Sequence, residues 1–280
     1  MTIQRVSVLG SGAMGTDIAL LFAQHGFEVL LWHRTCSGTA RQRLMDRLDR
    51  YVAKKVFSEE TAAILRNTIK ATDSDVQAAA SDLVIESVVE SYTTKIELLS
   101  RFDKLMLHDS ILVTNTSSFS IDHLGAELAR RADFAGLHFF NPATKMDLVE
   151  IVAGENTSPA TVGELRILAE RLGKTAVIVK DIPGFIVNRL LMVQINSAIR
   201  LLEVGAATAQ DIDQAMMSGL GHKKGPLSLA DFIGLDVVND ILTAIYTATN
   251  ETAYKPSALL VQMVGRQSLG RKSGRGFFKY

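Results

Sequence analysis

Val8-Leu9-Gly10-Ser11-Gly12-Ala13-Met14-Gly15 is a G-x-G-x-x-G loop, and its flanks say what kind. The apolar run Val6–Leu9 precedes it. A helical pattern from Met14 to His25 follows, with Ile18, Leu21 and Phe22 at helical spacing and Gly26 to end it. The first glycine allows a tight turn, the second lets a pyrophosphate approach the backbone, and the third lets helix and strand pack closely. The helix start presents its free N–H groups to phosphates. A lone glycine loop also makes ordinary turns, but Val29–Trp32 reads as the second buried strand of a βαβ unit. A dinucleotide is therefore expected, against Gly10, Gly12, Ala13, Met14 and Gly15. The second strand should then end in an acid that holds the adenosine ribose. This chain has His33-Arg34-Thr35 there.

The chain has 280 residues, 47% of them hydrophobic, enough for one large domain or two smaller ones with a substantial core. Thirty acidic and thirty basic residues cancel, so no nucleic acid or membrane surface is implied globally. No apolar stretch approaches the ~20 residues that span a bilayer. Gln4 and Arg5 interrupt the first strand, and no secretory signal is read. The single cysteine, Cys36, excludes an intrachain disulfide framework and a clustered-cysteine zinc site. With no His at a motif spacing it reads as a tolerated thiol. No metal is expected, and the cytoplasm is the expected compartment.

Up to about residue 180, β-branched runs alternate with amphipathic helices. The strands expected are Val6–Leu9, Val29–Trp32, Leu83–Ile85, Ile111–Thr114, Phe134–His138, Leu148–Val152 and Val177–Val179. Such alternation implies an α/β, Rossmann-type, mostly parallel sheet. Residues 39–67 break the plan as a basic helical pair, with Arg41, Arg43, Arg47, Arg50, Lys54 and Lys55. It reads either as a solvated face or as a projecting clasp. Asp181-Ile182-Pro183-Gly184 is the expected boundary. The expected domains are 1–184, binding the dinucleotide, and an all-α C-terminal domain, 185–280, beginning with a long helix from Phe185.

Two stretches carry chemistry. His138, in Gly136-Leu137-His138-Phe139-Phe140-Asn141-Pro142, ends one strand, and Glu150 lies near the start of another. Neighbouring strands would bring them together, and a carboxylate on one imidazole nitrogen supports proton transfer at the other. A histidine at a strand end is also often purely structural. Asn115-Thr116-Ser117-Ser118 follows Ile111–Thr114, at the sheet edge where ligands of open α/β sheets bind. Ser117 there reads as a substrate contact, with Ser118 or Ser120 free to cap the next helix. Asn188, early in the first helix of the second domain, is of a type that helix interiors disfavour, and so reads as either a specific hydrogen-bonding group or ordinary polar surface.

In order along the whole chain, these motifs, with Val89-Glu90, Lys95, Gly225-Pro226, Gly234-Leu235-Asp236 and Gly270-Arg271-Lys272, resemble the short-chain L-3-hydroxyacyl-CoA dehydrogenase family. The resemblance implies His138 as general base or acid, Glu150 orienting it, and Ser117 and Asn188 holding a substrate oxygen. It implies Glu90, Lys95 and Asn115 on the cofactor and Asn141 on the substrate. It also makes the helical pair a clasp over CoA, with Lys54 and Lys55 on its phosphates, and the protein a homodimer. The substrate implied is a short acyl thioester, with 3-hydroxybutyryl-CoA and acetoacetyl-CoA as the pair.

The chain departs from the family at the second strand. The usual ribose-binding Asp falls on His33, and Arg34 and Thr35 follow. Losing the carboxylate removes repulsion of a 2′-phosphate, and a guanidinium offers it a bidentate partner. NADP is the cofactor expected, with NAD as the alternative. Ala143-Thr144-Lys145 and His222-Lys223-Lys224 stand where the family is commonly Val-Pro-Val and His-Pro-Met. They read either as surface drift or as marks of a more acidic substrate or an acyl carrier protein. A related free hydroxy acid as substrate and a non-catalytic dinucleotide-binding protein stand as rival readings.

Overall fold

The computed structural model describes residues 3–280. The chain forms two compact units that divide between Ile182 and Pro183.

The first unit is one eight-stranded sheet with strand order β3-β2-β1-β4-β5-β6-β7-β8. Its strands are β1 (Arg5–Leu9), β2 (Glu28–Trp32), β3 (Ile69–Thr72), β4 (Leu83–Glu86), β5 (Ile111–Thr114), β6 (Phe134–Phe139), β7 (Leu148–Ala153) and β8 (Thr175–Lys180). β1 to β6 run parallel, and β7 pairs antiparallel with β6. The central strands are buried along their length, as expected of a parallel sheet covered on both faces. α1 (Ala13–Gln24) follows β1, and Ile18, Leu21 and Phe22 enter the core with Val6, Val8 and Leu31.

The basic helical pair is α2 (Ser37–Ala53) and α3 (Glu59–Thr68), and Ser58 caps the latter by accepting from the Thr61 N–H. Leu44, Leu48 and Leu65 are buried, so the pair packs on the sheet's core by one side. α3 runs straight into β3, a strand absent from the sequence reading. At the opposite side of the sheet β7 lies one strand in from the edge strand β8. The remaining helices here are α4 (Asp75–Ala79), α5 (Tyr92–Leu105), α6 (Ile121–Gly125) and α7 (Pro159–Arg171). Ser120, of the two serines weighed as cap, is the one that caps α6.

The second unit packs α8 (Val187–Glu203), α9 (Ala209–Leu220), α10 (Pro226–Ile233), α11 (Leu235–Thr249) and α12 (Ala258–Gly265) around Met192, Ile195, Ile199, Leu227, Val238 and Leu242. Its motifs are structural. Asp213 accepts from the N–H groups of Leu227 and Ser228 at 2.8 and 2.9 Å and so caps α10. Asp231 accepts from Phe277 and Phe278 at 3.0 and 2.9 Å, which clamps the glycine-rich tail onto α10. A Cβ on Gly270 would meet the Asp231 carbonyl oxygen at 2.3 Å. Lys272 is ion-paired with Asp236.

Candidate active site

The three glycines of the loop meet different surroundings. Gly10 has φ +118°, and a Cβ there would meet the Ser87 carbonyl oxygen at 2.4 Å. A Cβ on Gly15 would lie 1.9 Å from the Gly10 carbonyl oxygen, so helix and loop touch backbone to backbone. A Cβ on Gly12 would meet nothing within 4 Å. The protein itself therefore does not require glycine at position 12, and the open space suits an approaching pyrophosphate. Gly12 is the N-cap of α1, where no side chain bonds the first turn. Its N–H groups, those of Ala13 and Met14 among them, are left to an anion. These residues fit a dinucleotide.

His33 follows β2 at the same edge. Its N–H donates to the Thr72 carbonyl at 3.0 Å, and its Nδ1 faces the Thr35 N–H at 3.4 Å. Burial, then the charges of Arg43 and Arg34, hold the imidazole below the usual histidine value. Arg34 and Thr35 are exposed. Arg43, from α2, places Nη1 at 3.3 Å from Ser11 Oγ and 3.5 Å from the Ser11 carbonyl oxygen. The sequence lists Arg43 merely among the basic residues of the pair. Its contact with the glycine loop is tertiary, and no local pattern announces it.

The β6–β7 register sets His138 directly opposite Glu150. Nδ1 lies 2.8 Å from Glu150 Oε2, and both residues are buried. An ionised carboxylate only accepts, so this bond places the ring proton on Nδ1. The Phe140 ring lies 4.6 Å from the imidazole, centroid to centroid. Asn115 Oδ1 accepts from the Phe139 N–H at 2.9 Å and ties the end of β5 to β6 beside His138. Asn141, two residues beyond β6, is exposed.

Ser117 sits on a network centred on Glu90. That carboxylate accepts from Thr116 Oγ1 at 2.6 Å, the Ser117 N–H at 2.9 Å, Ser117 Oγ at 3.4 Å and Ser118 Oγ at 2.9 Å. Burial raises the Glu90 pKa, but the Lys95 charge and these donors outweigh it and hold the carboxyl below its ordinary value. Lys95 is buried, and its Nζ lies 3.1 Å from Glu90 and 2.9 Å from each oxygen of Glu86. Glu86, fully buried, also accepts from Thr114 Oγ1 at 2.5 Å and the Val88 N–H at 2.7 Å. Glu86 is the part of this network that the sequence does not single out. Its burial without solvent is intelligible only once Lys95 is folded over it.

Lys54, at the C-terminus of α2, and Lys55, with φ 54°, are exposed at the turn of the helical pair. Behind them lies Asp17 of α1, fully buried, holding Arg47 through both oxygens and accepting from Tyr51 OH at 2.8 Å. Tyr51 OH in turn accepts from Thr144 Oγ1 at 3.2 Å. In the departure that follows Asn141-Pro142, Thr144 thus has a structural partner, while Lys145 is exposed. Lys223 and Lys224 are exposed too.

Asn188 belongs to the second unit. It is the second residue of α8, because that helix begins at Val187 and not at Phe185. The mid-helix penalty invoked for it therefore does not apply, since first-turn positions tolerate asparagine. Among the described residues no cluster of three or more His, Cys, Asp or Glu could hold a metal. Among them, too, no helix is long and apolar enough to cross a membrane.

Residues 5–182 match the family model for the NAD binding domain of 3-hydroxyacyl-CoA dehydrogenase, and residues 184–280 match that for its C-terminal domain. The chain is 37% identical to the probable 3-hydroxybutyryl-CoA dehydrogenase of Bacillus subtilis, over 100% of this chain and 98% of that protein. Among solved structures it is similar to FadB2 of M. tuberculosis, with TM-score 0.95, 37% identity and 100% of each chain covered. The (S)-3-hydroxybutyryl-CoA dehydrogenase PaaH1 of Ralstonia eutropha is similar too, with TM-score 0.92, 37% identity, and 100% of this chain and 99% of that one covered.

Proposed function

The chain belongs to the 3-hydroxyacyl-CoA dehydrogenase family, and on that premise we propose that it interconverts short 3-hydroxyacyl-CoA and 3-ketoacyl-CoA, using NADP(H). The observation that carries the reading is the buried His138–Glu150 pair in the same sheet as a glycine loop open at Gly12. β1, β5 and β6 are parallel neighbours or near neighbours, so Gly10, Ser117 and His138 share one edge of the sheet. Ligands of open α/β folds bind at that edge.

A bound nicotinamide would supply the hydride chemistry at C3 of the acyl group. His138 moves the proton. With Nδ1–H held by Glu150, Nε2 takes the hydroxyl proton in oxidation and returns it in reduction, and Glu150 stabilises the cation between. Ser117, fixed by Glu90, holds the reacting oxygen. Asn188 and Asn141 supply further hydrogen bonds to the substrate. Asn115, Glu90 and Lys95 shape the cofactor side, chiefly by positioning, since each is already bonded to protein. Exposed Lys54 and Lys55 bind the phosphates of CoA, which favours CoA over a free hydroxy acid. Exposed Leu190, Leu201, Val204 and Leu220 in the second unit support a homodimer. A single free cysteine suits the cytoplasm.

His33 and Arg34 support NADP(H) over NAD(H), because no carboxylate stands at the ribose position to repel a 2′-phosphate. The deciding experiment follows oxidation of NADPH and of NADH by the purified protein with acetoacetyl-CoA. Turnover with a higher kcat/KM for NADPH is expected. No turnover with either cofactor would overturn the activity, and a higher kcat/KM for NADH would overturn the cofactor choice.

A further inference from the structure

We infer that Arg43, donated by the helical clasp rather than by the nucleotide-binding βαβ unit, completes a 2′-phosphate site with Ser11, His33 and Arg34. The inference rests on the NADP(H) reading above and extends it to a residue outside the dinucleotide motif.

The adenosine ribose of a dinucleotide lies between the first residues of the glycine loop and the end of β2. Arg43 touches the first of these. Its Nη1 lies 3.3 Å from Ser11 Oγ and 3.5 Å from the Ser11 carbonyl oxygen. It is also close enough to the second for its charge to act on the His33 ring. A guanidinium held between those two points faces the 2′-position of the ribose.

The charge balance of the clasp separates Arg43 from Arg47 and Arg66. Arg47 is paired with Asp17, and Arg66 with Asp49 at 2.6 Å. Among the described residues no carboxylate pairs with Arg43 or Arg34. The Ser11 contacts are long and use one nitrogen only. Guanidinium carries five N–H donors in a planar fork, so most of its capacity is uncommitted. Two uncompensated guanidiniums and a Ser hydroxyl around one ribose position match a phosphate dianion in charge and geometry.

His33 supplies a further donor. With Nδ1 accepting from the Thr35 N–H, the neutral ring carries its proton on Nε2. The clasp thereby serves two phosphate-bearing molecules, reading the cofactor with one arginine while its turn reaches toward the acyl carrier.

The test compares wild type with Arg43→Met and Arg43→Lys. Steady-state kcat/KM is measured for NADPH and NADH, and calorimetry gives the affinity for adenosine 2′,5′-bisphosphate and for adenosine 5′-phosphate. Losing a charged hydrogen-bond pair predicts a fall of roughly 10- to 100-fold in the NADPH/NADH ratio for Arg43→Met. The same factor should separate the two adenosine ligands, and Arg43→Lys should recover part of it. Ser11→Ala should lower the ratio less, because it removes one donor and the tether only. Equal losses with NADPH and NADH would overturn the inference and leave Arg43 a structural residue, as would an unchanged ratio. A wild type that prefers NADH, and binds the bisphosphate no better than the monophosphate, would instead overturn the NADP(H) reading itself.

Discussion

His138 and Glu150 face each other across an antiparallel strand pair, Nδ1 to Oε2, at 2.8 Å. The pair is buried, so the carboxylate bonds the ring without competition from bulk water. A tautomer held in this way is ready to exchange a proton at Nε2.

Replacing His138 by Ala should lower kcat by roughly 10²- to 10⁴-fold, the ordinary worth of a general acid–base group. Glu150→Gln should fall within the same range, because an amide can donate to Nδ1 and so favours the wrong tautomer. Rapid-quench or steady-state rates with acetoacetyl-CoA give the result, and a rate within threefold of wild type for His138→Ala would remove the mechanism.

Gly12 and Gly15 should part company. Ala at 15 collides with the Gly10 carbonyl oxygen, so Gly15→Ala should unfold or strongly destabilise the loop. Ala at 12 meets no protein atom within 4 Å, so Gly12→Ala should keep its melting temperature while cofactor affinity drops by tenfold or more. Differential scanning calorimetry with a cofactor titration separates the two, and an unaltered affinity in Gly12→Ala would argue against the pyrophosphate contact.

Lys95→Met should cost about 3–5 kcal/mol at neutral pH, because it strands the Glu86 and Glu90 carboxylates together. In wild type, the Glu90 pKa is lowered by folding. Its contribution is present above the unfolded value near 4.5 and disappears as pH falls through the lower folded value. Without Lys95 the main charge that lowers this pKa is gone, so the Glu90 carboxyl holds its proton more tightly in the folded variant than in folded wild type. Urea unfolding at pH 7 and pH 5 should therefore show a smaller deficit at pH 5. Equal deficits would contradict this account.

His33 couples cofactor choice to pH. Its pKa lies below 6.5 in the free protein, and a bound 2′-phosphate raises it by offsetting Arg43 and Arg34. Binding then takes up a proton. NADPH affinity should rise, relative to NADH, as pH falls from the bound-state His33 pKa toward its lower free-protein value. The gain is complete below the free-protein pKa and vanishes above the bound-state one. Fluorescence titrations give the ratio, which His33→Gln should make independent of pH.

Asp17→Leu should destabilise the first unit by about 3 kcal/mol, since it leaves Arg47 and Tyr51 without their shared acceptor. Pairing it with Arg47→Met should recover most of that loss, as two apolar groups need no partner. Chemical denaturation of the single and double variants decides the point, and strict additivity would deny the coupling.

Much of the fold was legible because a parallel sheet buries its strands entirely, so runs such as Ile111-Leu112-Val113-Thr114 stand out. β3 did not. Ile69-Lys70-Ala71-Thr72 is a four-residue edge strand that begins at the C-cap of α3, with no turn residue to punctuate it. The short helix α4 escaped for the same lack of length, and α12 because an apolar run of eight carries little period. In the site, His138, Glu150 and Ser117 were visible from their strand ends. Arg43 and Glu86 were not, since an arginine on a basic helix resembles surface and a glutamate ending a strand resembles a loop. Their partners lie at sequence distances of 32 and 9 residues, across the fold, where no local pattern reaches.

The pairing of His138 with Glu150 depends on phase. Strand side chains alternate faces, so a single-residue slip between β6 and β7 would send Glu150 to the opposite face of the sheet. The segment 140–147 that joins the strands thus acts as a ruler, and its length matters more than its composition. One inserted residue there should leave the sheet intact and silence the histidine, whereas two would restore the alternation and displace the carboxylate along its strand.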